Sequence, residues 1–164
     1  MNLFRRSNKQ SCLYAVCTGR CTNISEIPDE AFSGGMLGMG FATEPLDDGS
    51  FYCPADGKVE SVAQTGHAYT IHTNDGLDVL VHIGVDTVQL HGEGFESQVK
   101  EGQHVKAGAP LAKADLAFIR TKGLDPITAV LVTDPEKIGN IDYRFDSVTG
   151  GKDAVMSFCI HTHK

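Results

Sequence analysis

Apolar residues fall in short runs along the chain, at 13–17, 59–63, 68–71, 77–85, 129–132 and 154–160, and Asp-Gly, Gly-Gly, Asn-Asp-Gly and Gly-Glu-Gly turns separate them. Short apolar runs bounded by turn residues read as strands, so the pattern predicts an all-β chain. Helical spacing occurs only over 114–122 and, behind Pro135, over 134–138, which predicts one or two short helices. Between 77 and 85 the alternation is clear. Leu77, Val79, Val81 and Ile83 are expected to face a core, and Asp78, Leu80, His82 and Gly84 the other side, because strand side chains alternate with period two. His82 is thus expected off the core, flanked by Leu80 and Tyr69.

Two weak repeats add to this picture. Ala15-Val16-Cys17-Thr18-Gly19-Arg20 is similar to Cys53-Pro54-Ala55-Asp56-Gly57-Lys58, and the stretch 99–108 is similar to 147–152. Repetition on this scale predicts a barrel-like β-sandwich of two similar halves. Residues 1–11 are polar and basic and are expected to form a flexible tail, with 12–164 as a single domain.

Composition narrows the function classes. The formal charge of −7 and a pI near 5.4 are opposite to those of a nucleic-acid binder. No apolar run approaches the ~20 residues of a membrane-spanning helix. The basic start lacks a secretory apolar segment, so a cytoplasmic protein is expected. The five cysteines contain no Cys-x-x-Cys pair. Cys12, Cys17 and Cys21 have a spacing that could be read as a metal site, but small buried thiols explain them more simply.

The chemistry concentrates around two histidines. His67 and His82 lie on either side of His72-Thr73-Asn74-Asp75-Gly76, a strong hairpin signal. A turn centred between Asn74 and Asp75 pairs residues whose numbers sum to 149, which sets His67 opposite His82; an Asp75-Gly76 turn gives 151 and a diagonal pair. Both registers put the imidazoles on one face. A single strand histidine is most often structural, whereas two on a face suit a phosphoryl site or half of a zinc site. In the first case one ring is the nucleophile, and its neighbour donates to the phosphoryl oxygens.

Val81-His82-Ile83-Gly84-Val85-Asp86-Thr87-Val88, followed by Gly92-Glu93-Gly94-Phe95, closely resembles the phosphorylation signature of glucose-type EIIA proteins of the bacterial phosphoenolpyruvate-dependent sugar phosphotransferase system. Gly66-His67-Ala68-Tyr69 is similar to that family's second histidine segment, and the likeness runs from about residue 13 to 160. The resemblance implies a phosphotransferase component, a phosphoryl carrier in sugar uptake. His82 would accept the phosphoryl group on Nε2 from the phosphocarrier HPr and pass it to a cysteine of an EIIB domain. His67 would hold the phosphoryl oxygens, with Thr65 hydrogen-bonded to one of the imidazoles. Asp29 and Asp86 match acidic positions that meet basic groups on HPr, and Phe32 and Leu80 match an apolar docking surface. No cofactor is required; zinc can join His67 and His82 when a partner adds a carboxylate. A regulatory role, binding transporters or kinases according to phosphorylation, is compatible with the same fold.

Two rivals fare worse. A two-half β zinc peptidase would use His161 and His163 as ligands, yet these stand near the chain end, where a disordered tail is expected. A lipoyl or biotinyl carrier needs a lysine at a hairpin tip in a set context, and Ala112-Lys113-Ala114 is the nearest approach.

Overall fold

The computed structural model describes residues 7–46 and 48–162. In chain order the strands are β1 (Ser7–Tyr14), β2 (Gly19–Asn23), β3 (Met39–Pro45), β4 (Ser50–Tyr52), β5 (Gly57–Val62), β6 (Ala68–Thr73) and β7 (Asp78–His82). They continue as β8 (Phe95–Ser97), β9 (His104–Val105), β10 (Pro110–Ala114), β11 (Thr128–Val132), β12 (Ile138–Tyr143), β13 (Ser147–Val148) and β14 (Ala154–Thr162). Two short helices, α1 (Glu30–Ser33) and α2 (Leu116–Thr121), accompany them. The second falls inside the helical window predicted at 114–122; the window at 134–138 holds only a single 3-10 turn, Pro135–Lys137. Among the described residues all strand pairs are antiparallel: an eight-stranded sheet ordered β13-β2-β3-β11-β7-β6-β5-β9 and two three-stranded sheets, β1-β14-β12 and β4-β10-β8.

Alternation sorts the large sheet into two apolar faces. Val79, Val81, Val130 and Val132 are fully buried in the main core, together with Tyr69 and Ile71. Their neighbours Ala129 and Leu131 point the other way and join Ala42, Ile27, Phe32, Val85 and Ile127 in a second, smaller cluster, with Leu80 packed against it. Phe32 reaches this cluster from α1, which Asp29 caps by accepting the Ala31 N–H at 3.0 Å. Burying a side chain of that size contributes on the order of 2 kcal/mol. The core assignments for 77, 79, 81 and 83 hold, but Tyr69 does not flank His82. It is an odd-numbered residue of β6 and lies in the main core, where its hydroxyl donates to the Gly66 carbonyl.

The repeated segments bond to each other in matching pairs. The Tyr14 N–H donates to the Pro54 carbonyl and the Tyr52 N–H to the Val16 carbonyl. Val148 stands opposite Gly19 as Val105 stands opposite Gly57, and the Gly151 and Gly108 N–H groups donate to Ala15 and Cys53. The two copies touch where a Cβ on Gly108 would come within 2.6 Å of the Gly151 carbonyl oxygen, so glycine is required there.

Three further expectations need correction. The assigned tail 1–11 is a strand from Ser7 onward, in register with β14 from Ser7–Thr162 to Tyr14–Ala154; residues 1–6 lie outside the described residues. Its polar side chains gave no apolar signal, because an edge strand is held by its backbone ladder and, here, by Lys9–Asp75 at 2.7 Å and Ser11–Asp75 at 2.6 Å. His161 and Thr162 likewise belong to β14 instead of a disordered tail, while His163 lies outside the described residues. Finally, the hairpin register sums to 150, with Ala68 opposite His82. Thr73 and Leu77 close a three-residue loop in which the Gly76 N–H donates to Thr73 and Gly76 adopts φ 87°. By strand parity His67 and His82 would then face apart.

Candidate functional site

The two imidazoles meet all the same, by a different route. His67 precedes β6 and follows Gly66, whose φ of 71° turns the chain at the sheet's end. Its carbonyl accepts the Ile83 N–H at 2.7 Å, which fixes it beside the last residues of β7. The rings of His67 and His82 lie edge to face with centroids 5.0 Å apart. Phe32 covers His82 from α1 at 4.9 Å, and Phe95 stands 6.5 Å from His67.

Each ring is anchored through Nδ1 by a different kind of group. His82 Nδ1 is 2.8 Å from the Gly84 carbonyl, which can only accept, so Nδ1 carries the proton and Nε2 keeps its lone pair. His67 Nδ1 pairs with the Thr65 hydroxyl at 2.5 Å, a group able to donate or accept. When Thr65 donates, the His67 N–H is on Nε2. The pair then presents a nucleophile and a hydrogen-bond donor side by side.

Burial sets the charge state. It pushes the pKa of His82 below the ordinary imidazole value, opposed by the Gly84 hydrogen bond and by the charges of Asp29 and Asp86. His67 is lowered by burial and by its neighbour His82. Both shifts favour the neutral ring, the form a nucleophile requires. Asp86 is exposed and introduces the 3-10 turn Thr87–Leu90 from a left-handed φ of 58°, with no side-chain cap bond. Asp29 is half-buried, Leu80 is half-buried, and Phe32 is only 6% exposed, so most of its ring serves as cover over His82.

The structure thus brings together His82, His67, Thr65 and Phe32, with Asp29 and Asp86 in electrostatic reach. Sequence reasoning gave no role to the Gly84 carbonyl, to Phe95 or to Thr87. A main-chain acceptor leaves no trace in residue type, although Phe95 and Thr87 stood inside the motif. Among the described residues no group of three or more His, Cys, Asp or Glu could hold a metal ion, so Cys12, Cys17 and Cys21 do not form one. Two imidazoles supply half of a tetrahedral zinc set.

A mostly β fold that sets a buried imidazole against a half-buried one fits phosphoryl transfer on histidine, and comparison with known proteins gives the class. Residues 11–138 match the family model of the phosphoenolpyruvate-dependent sugar phosphotransferase system, EIIA 1, and the chain belongs to that family. It is 39% identical over 136 residues to the PTS system glucose-specific EIIA component of Bacillus cereus, covering 83% of this chain and 81% of that protein. It is 42% identical over 122 residues to the PTS system glucoside-specific EIICBA component of Staphylococcus carnosus, covering 74% of this chain but 18% of that much longer protein. The PTS system glucose-specific EIIBCA component of Corynebacterium glutamicum shows 46% identity over 123 residues, again 75% of this chain and 18% of that protein. Among solved structures, the glucose permease IIA of Mycoplasma capricolum matches with a TM-score of 0.85 and 34% identity, over 92% of this chain and 96% of that one. Among the described residues no helix is long and apolar enough to cross a membrane.

Proposed function

We propose that the chain carries a phosphoryl group from HPr to a cysteine of an EIIB domain, on His82 Nε2, during sugar uptake on the cytoplasmic side of the membrane. The observation that carries this reading is the His82 Nδ1 bond to the Gly84 carbonyl, which leaves Nε2 as the neutral nitrogen lone pair beside a second imidazole. As the P–Nε2 bond forms, the bond from phosphorus to the donor breaks. His67, with Thr65 donating to its Nδ1, gives its Nε2–H to a phosphoryl oxygen. Asp29 and Asp86 meet basic groups of HPr over Phe32 and Leu80, and the acidic charge steers that encounter.

In this reading the fold is a barrel-like sandwich of two similar halves, supported by the paired bonds between repeats. Transfer needs no cofactor; zinc binds only where a partner carboxylate completes the two-histidine set. Regulated transporters or kinases would use the same face and would distinguish His82 from phospho-His82. The test is incubation with labelled phosphoenolpyruvate, enzyme I and HPr, followed by addition of EIIB. Acid-labile label on the wild type, absent in His82→Ala, is expected. His67→Ala should take label yet pass it poorly; normal delivery to EIIB by that variant removes His67 from the mechanism.

A further inference from the structure

Thr87 lies outside the ring contacts of the site, yet it is completely buried and bonded to the turn that follows His82. Its hydroxyl donates to the Ile83 carbonyl at 2.5 Å. The N–H of that same Ile83 donates to the His67 carbonyl at 2.7 Å. Ile83 is thus held at both ends, by one histidine segment through its N–H and by Thr87 through its carbonyl. The next residue, Gly84, adopts φ 80°, and its carbonyl is the acceptor for His82 Nδ1. The Thr87 methyl fills the space that a Cβ on Gly84 would occupy, with the Asp125 carbonyl oxygen on the same side at 3.1 Å. The Val85 N–H, donated to that Asp125 carbonyl at 2.8 Å, fastens the far end of the turn.

From this geometry we infer that Thr87 is a positioning residue: its hydroxyl fixes the Ile83–Gly84 peptide so that the Gly84 carbonyl faces His82 Nδ1 and keeps the ring's lone pair on Nε2, while the N–H of the Ile83 it anchors holds His67 in place through a separate bond. The inference rests on the phosphoryl-carrier reading for its consequence but not for its structural part. Without the hydroxyl the Ile83 carbonyl is left buried and unbonded, and the turn must shift to find another donor. The Gly84 carbonyl then swings off Nδ1, and His82 is released to both tautomers.

Thr87→Val keeps the shape and removes the donor. Thr87→Ser and Thr87→Ala both remove the methyl and differ only in the hydroxyl, so they carry the comparison if the valine variant fails to fold. Two readouts are made on each folded variant. Nitrogen-15 NMR of the histidine rings at pH 8 reports the His82 tautomer, and single-turnover labelling from phospho-HPr reports the rate. Expected are one tautomer protonated on Nδ1 in the wild type and in Thr87→Ser, and a mixture in Thr87→Val and Thr87→Ala. Labelling should slow by about 10–100-fold in the latter two, a loss on the scale of a misplaced reacting group, and Thr87→Ser should recover most of it. A pure Nδ1–H tautomer in Thr87→Val and Thr87→Ala overturns the inference, as does equal slowing in Thr87→Ser and Thr87→Ala. A wild type that takes no label overturns the carrier reading alone, because the tautomer comparison still judges Thr87.

Discussion

His72 and His82 project from the same face of one hairpin, opposite Asp78 and Ala68 in a single register, and their surroundings differ in every respect that matters to an imidazole. His72 has an exposed ring with its Nδ1 2.9 Å from the Asp78 carboxylate. His82 lies under Phe32 and beside His67, bonded to a carbonyl. What separates them is the cover: α1 and the second apolar cluster close over one end of the hairpin and leave the other in water. Hairpin, face and residue type are shared, so dehydration and a neutral acceptor are what set the His82 ring apart from the His72 ring.

The most decisive way to break this contrast is substitution at each end. His82→Ala should abolish phosphoryl acceptance, whereas His72→Ala should leave the labelling rate unchanged; a dead His72 variant would mean the whole hairpin, and not its covered end, carries the chemistry. Removing the cover comes next. Phe32→Ala should cost about 3 kcal/mol in urea unfolding and raise the His82 pKa toward its ordinary value in an NMR titration, since burial is what lowers it. An unmoved His82 pKa would separate the cover from the neutrality of the ring.

A smaller effect follows from pH. Both site histidines have folded pKa values below the unfolded one, so the unfolded chain takes up protons first. The stabilisation is complete above about pH 6.5 and declines as the pH falls toward the folded values. Urea unfolding measured from pH 8 to pH 5 should show this decline, flattened in a His67→Gln/His82→Gln double variant; an identical slope would mean other groups are responsible. Smallest of all, Asp78→Asn removes an exposed pair and should change stability by less than about 0.5 kcal/mol, with labelling unaffected.

The legible parts of this molecule were those with period-two or motif signals. Leu77, Val79, Val81 and Ile83 declared their face, and the His82 and His67 motifs marked two segments whose rings the fold brings into contact. The register was not legible because a two-residue turn and a three-residue loop both suit Asn-Asp-Gly, and Gly76 at φ 87° selects the latter. The histidines were placed together for a reason the strand parity does not support. Their contact depends on Gly66 and on the His67–Ile83 backbone bond, which no side-chain pattern encodes. Four-residue α1 is too short for helical periodicity, and β1 begins with residues such as Lys9 and Gln10 whose side chains are exposed, so it carries no apolar run.

The pairing of β1 with β14 also bears on how such a unit can be joined to others. Ser7 stands directly across the ladder from Thr162, so the first and last described residues are remote in sequence and adjacent in space. A fold with neighbouring ends can be spliced into a longer polypeptide, or cut and rejoined in a new order, with a short tether and little disturbance of the sheet. Modular reuse is thus a geometric property of this strand pair, independent of what the histidines do.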